Sequence, residues 1–520
     1  MAETQQREKS LGLLEQGELE VDSDSTLNED ERPPTPVAKT KAQVALLLEF
    51  AASRMSGLRP SFLQGKSTKT LKLRRTAYLD GIRGFAALLV YCLHHQLWAH
   101  AIMGGSQKAE NTFGWDKEYY FVAFPVLRTF FTGGHYAVAT FFVISGYVLS
   151  SKPLALIESG DYVTLGSNVG SALFRRWLRL YVPIIVVTFG FVILPHIGIG
   201  SDFKPQSNLR DEIWMWYCDL KNFTHIWNTG GDIILNQQKH VWSIPVEMRG
   251  SITIYTALIA FSRCTRSARL WCEFLLCFYF MYIVDGAHYA MFVAGMILCD
   301  IDQLSLSDRQ PNWVKTMSRF STPLAYVGIV VSILLGGVPG NSAEMDHCKT
   351  SPGWYYLCFL KPQAVFDYRW FFLFWAAVLA VLCTPRVSLL KRFFEGRFCQ
   401  HLGRISYMFY LMHGPILWII GDRIYAAVGF VNYSHALNIP GWADSFKLPR
   451  WGPFGLELNY VMAQCLLLPL TFYVAELATA LIDDPAIKFA SYCYQLTQPR
   501  KEAHTELQQN SREQRKASQA

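Results

Sequence analysis

The chain has 520 residues, of which 51% are hydrophobic and 14% aromatic, and its formal net charge is +7. Charged residues make up 17% of the chain, well below the roughly one quarter that is usual in soluble domains. This composition disfavours a disordered or fibrous protein and an ordinary soluble enzyme. It favours an all-α membrane protein that crosses the bilayer several times, and the basic excess then indicates cytoplasmic loops and no binding to nucleic acid.

The two ends of the chain differ from its middle. Residues 1–76 begin with an acidic stretch followed by prolines and end in a basic cluster, a pattern typical of a disordered cytoplasmic tail that ends at anionic headgroups. Residues 491–520 are also polar and form the second predicted cytoplasmic tail. Between them, residues 77–490 form the predicted membrane domain.

Apolar segments in this domain predict a polytopic bundle of about ten transmembrane helices. Several segments are shorter than the roughly 20 residues of a straight span, so broken or tilted helices are expected. Lys and Arg are concentrated in the loops on the side of the N-terminal tail, which predicts an even number of spans and two cytoplasmic termini. The segments are 79–98, 135–150, 181–197, 246–262, 270–284, 287–300, 320–336, 370–384, 403–421 and 456–481.

The first segment contains ionisable residues that are costly in a membrane. Arg83 and His94 are eleven residues apart, almost three helical turns, so they are predicted to share one face at a separation of about 16 Å. Asp80 lies one turn before Arg83 and is its predicted partner. Ionisable residues in a span usually face a protein interior or a wet cavity, which makes both candidates for function. The alternative is that Arg83 snorkels to the cytoplasmic surface and His94 only hydrogen-bonds another helix.

Other candidate residues lie near later segments. Arg176 and Arg179, in the loop predicted before the third segment, share a helix face that suits a polyanion, or they only mark the cytoplasmic side. Glu247 is predicted at the outer mouth of the fourth segment, where an interfacial ion pair is the alternative. The ninth segment has a polar stripe from Ser406 to His413, for which ordinary interhelical hydrogen bonding is the alternative.

Motifs of other protein classes are missing from the sequence. It has no nucleophile elbow, phosphate-binding loop, dinucleotide fingerprint or zinc-protease motif. The 12 cysteines are scattered without paired spacing, so neither a zinc site nor a disulfide scaffold is indicated. No internal repeat is obvious, which disfavours a transporter built from repeats.

Four blocks of sequence together resemble the acyltransferase-3 family of integral membrane O-acyltransferases, in its filamentous-fungal branch. The resemblance covers roughly residues 76–490 and implies a fold of about ten helices. It also implies acyl transfer, usually of acetyl from acetyl-CoA to a hydroxyl. The blocks are, in family order, Tyr78–Ala87, Gly134–Tyr147, Trp242–Gly250 and His401–His413.

The resemblance also implies roles for single residues. The Arg-x10-His signature of the family falls on Arg83 and His94. Its Arg-x-x-Arg motif, which is associated with the acyl-CoA site, falls on Arg176 and Arg179.

The chemistry of acyl transfer to an alcohol agrees with these roles, because it needs a base near the hydroxyl. His94 is the candidate base or a transient acyl carrier, and Arg83 is a candidate for orienting the thioester or its phosphates. Glu247 and His413 are candidates for orienting the acceptor or supporting His94. The adjacent His95 points about 100° away on a helix, so it is expected to be a hydrogen-bond partner or a residue that lines the site.

The sequence therefore predicts a multi-pass membrane O-acyltransferase whose partners are acyl-CoA, a hydroxyl-bearing acceptor and the lipid bilayer, without a metal. Carbohydrate, lipid and secondary-metabolite acceptors all stay open, as do the acyl chain length, the host membrane and the oligomeric state. One alternative is a proton-coupled transporter that uses the same intramembrane residues. Another is a non-catalytic membrane scaffold.

Overall fold

The computed structural model describes most of the predicted membrane domain. Most of the two predicted tails, residues 1–76 and 491–520, lies outside the described residues. The described ranges are 73–100, 124, 126–197, 199, 205–227, 235–236, 238–310, 315–316, 321–340, 343–351, 353–430, 439–452 and 456–498.

All regular secondary structure in these ranges is helical, which confirms the predicted all-α fold class. Single π-helical turns follow three helices, at Tyr279–Ile283, Leu417–Gly421 and Thr479–Asp483. Short 3-10 helices lie at Leu194–Ile197, Lys239–Trp242, Leu357–Leu360 and Thr384–Arg386. The α-helices are α1 (Ala77–His100), α2 (Thr129–Thr132), α3 (Gly134–Ser159), α4 (Tyr162–Ile193), α5 (Leu209–Phe223), α6 (Ser243–Phe261), α7 (Arg266–Phe278), α8 (Ala287–Leu306), α9 (Ser321–Gly336), α10 (Met345–Thr350), α11 (Tyr368–Cys383), α12 (Ser388–Phe394), α13 (Arg397–Ile416), α14 (Asp422–Val428), α15 (Leu458–Ala478) and α16 (Asp484–Leu496).

Each predicted apolar segment overlaps a helix, but fewer helices qualify as membrane spans by length and composition. α1 and α13 carry the polar residues of the predicted site, which lowers their mean hydropathy, and α9 is apolar but short. In the described part of the chain, five helical segments are long and apolar enough to cross a membrane: Gly134–Ser159, Tyr162–Ile197, Ala287–Leu306, Tyr368–Arg386 and Leu458–Leu496.

The start of α4 corrects one sequence prediction. The helix begins at Tyr162, where the side chain of Asp161 accepts a 3.0 Å hydrogen bond from the Thr164 amide and caps the first turn. Arg176 and Arg179 therefore lie inside a continuous helix, and their predicted placement in a loop was wrong. The first half of α4 contains Gly, Ser and Asn, so its hydropathy gave no helical signal.

The start of α6 corrects a second prediction. α6 begins at Ser243 and follows directly on the 3-10 helix Lys239–Trp242, whereas the predicted segment began at residue 246. Glu247 therefore lies in the second turn of α6. Ser243 and Pro245 interrupt the apolar pattern before residue 246, which concealed the true start of the helix.

A buried ion pair joins α7 and α8. Arg269 donates to both carboxylate oxygens of Asp300, each at 2.7 Å, and to Glu158 at the end of α3 at 2.9 Å. Arg269 is 2% exposed and Asp300 is fully buried. Because an unpaired charge in such a place costs several kcal/mol, roughly 3–5, this contact fixes α3, α7 and α8 at one end of the bundle.

One disulfide differs from the expectation drawn from the scattered cysteines. Cys348 in α10 is bonded to Cys358 in the 3-10 helix Leu357–Leu360. A separation of ten residues matches no paired-cysteine motif, so spacing alone did not reveal it. The disulfide closes a short loop between α9 and α11.

The centre of the bundle is the close parallel packing of α1 and α13. Arg83 and His94 of α1 contact Gly403 and His413 of α13, respectively, so both helices advance in the same direction. A Cβ atom on Gly84 would lie only 2.3 Å from the backbone nitrogen of Gly403. The two backbones therefore approach each other at a point where neither helix has a side chain.

We expect Gly84→Ala to lower the free energy of unfolding by about 1–3 kcal/mol, because the added methyl group overlaps the backbone of α13. The matched control is Gly170→Ala in α4, where an added Cβ meets no atom within 4 Å. There the gain in helix propensity should leave stability unchanged or raise it by up to about 1 kcal/mol. Thermal unfolding of the purified protein in detergent measures both. Equal stability of the two variants would contradict the close packing.

Candidate active site

Three histidine rings from separate parts of the chain meet beside α1 and α13. His94 belongs to α1, His413 to α13, and His240 to the 3-10 helix before α6. The ring centroids of His94 and His413 are 4.9 Å apart, those of His240 and His413 4.5 Å, and those of His94 and His240 5.8 Å. We call these residues the histidine cluster.

The hydrogen bonds of the cluster define its tautomers in the neutral state. Nδ1 of His94 lies 2.9 Å from the carbonyl oxygen of Val90, and a carbonyl can only accept, so Nδ1 carries the hydrogen. Nδ1 of His413 likewise donates to the Phe409 carbonyl at 3.3 Å. Nε2 of His413 is then an acceptor for the Nδ1–H of His94, at 3.2 Å. Nε2 of His94 is left with a lone pair on a half-buried ring.

His240 is the residue of the cluster that sequence analysis missed. Its Nε2–H donates to the Tyr410 carbonyl at 3.0 Å, and the Tyr410 hydroxyl donates to the carbonyl of His240. A Cβ on Gly414 would lie 2.6 Å from Cε1 of the His240 ring, so only glycine leaves room for it. His240 stands two residues before the block that begins at Trp242, and this proximity was the available signal.

The polar stripe predicted on α13 is partly used by the cluster. His413 is a member, and the Tyr410 hydroxyl is within 2.9 Å of the Ser243 hydroxyl on α6. Ser406 instead donates to the carbonyl of Gly403 at 2.9 Å within its own helix. The stripe therefore holds α6 and His240 against α13, and its first member does not reach the histidines.

His95 faces away from the cluster, as its position next to His94 predicts. It is fully buried, and its Nδ1 lies 2.9 Å from the Tyr425 hydroxyl. Gln464 donates to that hydroxyl and accepts from the Tyr91 hydroxyl at 2.8 Å. His95 thus belongs to a separate buried network that packs behind His94.

Arg83 lies at the other end of the same face of α1. Its Nη2 donates to the Gly403 carbonyl at 3.0 Å and is 3.4 Å from the Asp80 carboxylate, the predicted partner. Arg83 and His94 both contact α13, so the shared face expected from their spacing is present.

Glu247 is paired with Arg176, which the sequence did not predict. The Glu247 carboxylate accepts from the Arg176 guanidinium and from the Ser145 hydroxyl. Nε of Arg176 donates to the Ser251 hydroxyl at 3.0 Å. Glu247 was predicted to support His94, but the two residues are not in direct contact, because these bonds hold the carboxylate against α3 and α4.

Arg179 lies one turn after Arg176 and shares the surroundings of Arg83. Its charge interacts with those of Arg176, Asp483 and Arg83. Asp483 belongs to the π-helical turn after α15. We call Arg83, Arg176 and Arg179 the arginine cluster; it lies about 16 Å from the histidine cluster along the axis of α1.

The described residues contain no group of three or more His, Cys, Asp or Glu side chains arranged to hold a metal ion. In the histidine cluster, His94 and His240 each direct one N–H at a carbonyl, and His413 accepts from His94. The cluster is therefore arranged for hydrogen bonding and proton transfer.

Comparison with known proteins identifies the family. A family model described as an acyltransferase domain, of the acyltransferase-3 type, matches residues 76–478, which is more than half of the chain. The chain is 29% identical to the O-acetyltransferase PaAT-1 of Phomopsis amygdali over 71% of its own length and 77% of the relative. It is 24% identical to the acyltransferase R4 of a Phoma species over 81% and 96% of the two chains.

A third relative is the acyltransferase clz18 of Cochliobolus lunatus, which is 23% identical over 68% of this chain and 85% of the relative. No solved structure matches the chain at a significant level. The chain belongs to the acyltransferase-3 family and is an acyltransferase.

Proposed function

We propose that this acyltransferase transfers an acetyl group from acetyl-CoA to a hydroxyl of a carbohydrate, lipid or secondary metabolite at the histidine cluster. The observation that carries the proposal is the hydrogen bond from His94 to His413. That bond leaves the lone pair of His94 Nε2 available to take a proton.

In the proposed reaction, His94 is the general base. The acceptor hydroxyl gives its proton to Nε2 of His94 while its oxygen attacks the thioester carbon. The C–S bond then breaks, and the imidazolium of His94 returns that proton to the leaving sulfur, so CoA leaves as the thiol. Until then the imidazolium keeps its Nδ1–H on the Val90 carbonyl and His413 Nε2. His413 acts as the orienting group, since it holds the ring and its tautomer before the proton arrives.

The arginine cluster is the proposed binding site for the phosphates of CoA. Arg176 is already held by Glu247, Ser145 and Ser251, so its guanidinium is rigid and its charge is balanced by Glu247. Arg179 and Arg83 add charge beside it, and guanidinium groups are well suited to phosphate. The extended arm of CoA would bridge the distance between the two clusters.

The proposed topology has ten spans, both termini in the cytoplasm and the arginine cluster on the cytoplasmic side. The parallel direction of α1 and α13 supports it, because the first and ninth of ten alternating spans must cross in the same sense. The disulfide Cys348–Cys358 supports an outer position for the segment 337–369, since disulfides persist in oxidising compartments. The acceptor would then reach the histidine cluster from the outer side.

His94→Ala should lower acetyl transfer by about 10²–10⁴-fold, because it removes the general base. The purified protein is given radiolabelled acetyl-CoA, and both CoA thiol release and labelled ester are measured. His413→Gln should keep part of the activity that His413→Ala loses, since its amide oxygen accepts from His94 Nδ1–H.

The matched control is His95→Asn, whose carbonyl oxygen replaces Nδ1 in the contact with Tyr425, and it should stay active. If His94→Ala stays active and folded His95→Asn is inactive, the catalytic histidine is His95 and not His94. Proton-coupled solute flux without any acyl transfer by the wild type would favour a transporter.

Arg179→Gln should weaken acetyl-CoA binding by about tenfold or more, because hydrogen bonds to charged groups contribute roughly 1.5–3 kcal/mol. Arg175→Gln on the adjacent helical position is the control and should bind normally. We avoid a single change at Arg176, which would leave the Glu247 carboxylate unpaired. Equilibrium binding of CoA to the folded variants measures the effect, and equal affinities would leave Arg179 with no role in donor binding.

The topology predicts that tags at the N- and C-termini are both accessible from the cytosol. A cysteine introduced at Tyr356, which is 83% exposed in the same segment as the disulfide, should react with a membrane-impermeant thiol reagent added from the outer side. Accessibility of the C-terminal tag from the outer side would mean an odd number of spans.

A further inference from the structure

Four aromatic rings meet at one end of the bundle, each from a different helix. His135 is the second residue of α3, and His288 is the second residue of α8. Trp370 is the third residue of α11, and Trp242 directly precedes α6. We call these residues the aromatic cluster. Four helices that begin at the same end thus each supply one ring.

Trp370 lies at the centre of the aromatic cluster. Its ring centroid is 4.3 Å from that of His288, 5.7 Å from Trp242 and 6.0 Å from His135. All four residues are half-buried. Tryptophans of an interfacial belt anchor a protein at the headgroups, whereas these rings contact one another, which favours an internal binding surface over a belt.

The aromatic cluster lies beside the part of α1 that carries His94. Trp242 follows His240 by two residues in the same 3-10 helix. His135 is close enough to His94 for their charges to interact. A Cβ on Gly134 would lie 2.3 Å from the Leu93 side chain, so the start of α3 packs directly against α1 beside His94.

A small cavity with room for about one water molecule adjoins the aromatic cluster. It shares His135 with the cluster and is also lined by Thr132 and Arg369. The Arg369 guanidinium is fixed by Asp367 at 2.6 Å and donates to the Gly340 carbonyl at 2.5 Å. The rings of the cluster can pack on the C–H face of a ligand, and the fixed polar groups beside them can bind its polar substituents.

We propose that the aromatic cluster binds the acceptor through the C–H face of a saturated ring that carries the reacting hydroxyl. This inference rests on the proposed acetyl transfer at His94. Glycosides and hydroxylated polycyclic metabolites share this chemistry. A straight-chain alcohol has no such face and gains less from the rings.

Two primary alcohols of seven carbons test the proposal. Cyclohexylmethanol carries a saturated ring, and 1-heptanol has the same hydroxyl on a chain. With acetyl-CoA as donor, the wild type should show a higher kcat/KM for cyclohexylmethanol. Trp370→Leu should reduce that preference by several-fold to about tenfold, mainly through KM, because aromatic contacts contribute roughly 0.5–1.5 kcal/mol.

Matched variants separate binding from folding. Trp370→Phe keeps a ring and should keep most of the preference. Trp271→Leu changes an outward-facing tryptophan of α7, 68% exposed, and should change nothing. Slow hydrolysis of acetyl-CoA, in which water is the acceptor, is the basal activity and should be the same in the wild type and Trp271→Leu. Where Trp370→Leu does not fold, Trp242→Leu replaces it with the same expected result.

Methyl β-glucoside and cyclohexylmethanol distinguish the two acceptor sources. If Trp370→Leu lowers kcat/KM more for the glucoside, the cluster binds sugars. If it lowers kcat/KM more for cyclohexylmethanol, the cluster binds apolar rings. The inference is overturned if folded Trp370→Leu loses the same fraction of kcat/KM for cyclohexylmethanol as for 1-heptanol. An unchanged preference between the two alcohols in this variant also overturns it. Absence of both transfer and hydrolysis in the wild type would instead refute the proposed function.

Discussion

The close approach of α1 and α13 at Gly84 and Gly403 is the constraint on which the site depends. Without side chains between them, the two backbones pack in contact and in parallel. One face of α1 then meets α13 twice, through Arg83 at Gly403 and through His94 at His413. A wider spacing would break the hydrogen bond between the two imidazoles, because that bond already measures 3.2 Å. The spacing of the helices thus determines whether His413 can hold the ring of His94, whose tautomer is set by the Val90 carbonyl within α1.

Charged and neutral polar groups are separated along α1, and each group is stabilised differently. At the arginine cluster, Arg176 is compensated by Glu247, as a largely buried charge must be. At the histidine cluster, the rings need no counter-charge while they are neutral, and backbone carbonyls and a neighbouring ring satisfy their N–H groups. This separation allows one helix to carry an arginine and a histidine inside a membrane without a chain of ion pairs between them.

Sequence patterns predicted contacts within helices better than contacts between them. The spacing of Arg83 and His94 gave their common face, and the adjacency of His95 gave its different orientation, because helical periodicity determines both. The pairing of Glu247 with Arg176 joins residues 71 positions apart, and no local pattern encodes it. His240 was missed for a similar reason, since its place depends on the absence of a side chain at Gly414. The helix start at Tyr162 was missed because small and polar residues at positions 166–171 separate the first turn from the apolar run, and the start at Ser243 because Ser243 and Pro245 interrupt the apolar pattern.

The geometry also bears on why an acyltransferase would divide its site between two clusters. A transporter needs a continuous polar path that is open alternately to each side, whereas a group-transfer enzyme needs only to bring one reactive bond to one base. A long donor whose phosphates stay at the arginine cluster can place its thioester about 16 Å away, at His94, without moving charge through the bundle. On the proposed mechanism, only the neutral acyl group then passes from the donor side to the acceptor side. The proton of the acceptor is held at the histidine cluster only until the leaving sulfur of CoA takes it, and His413 already holds the imidazole that carries it.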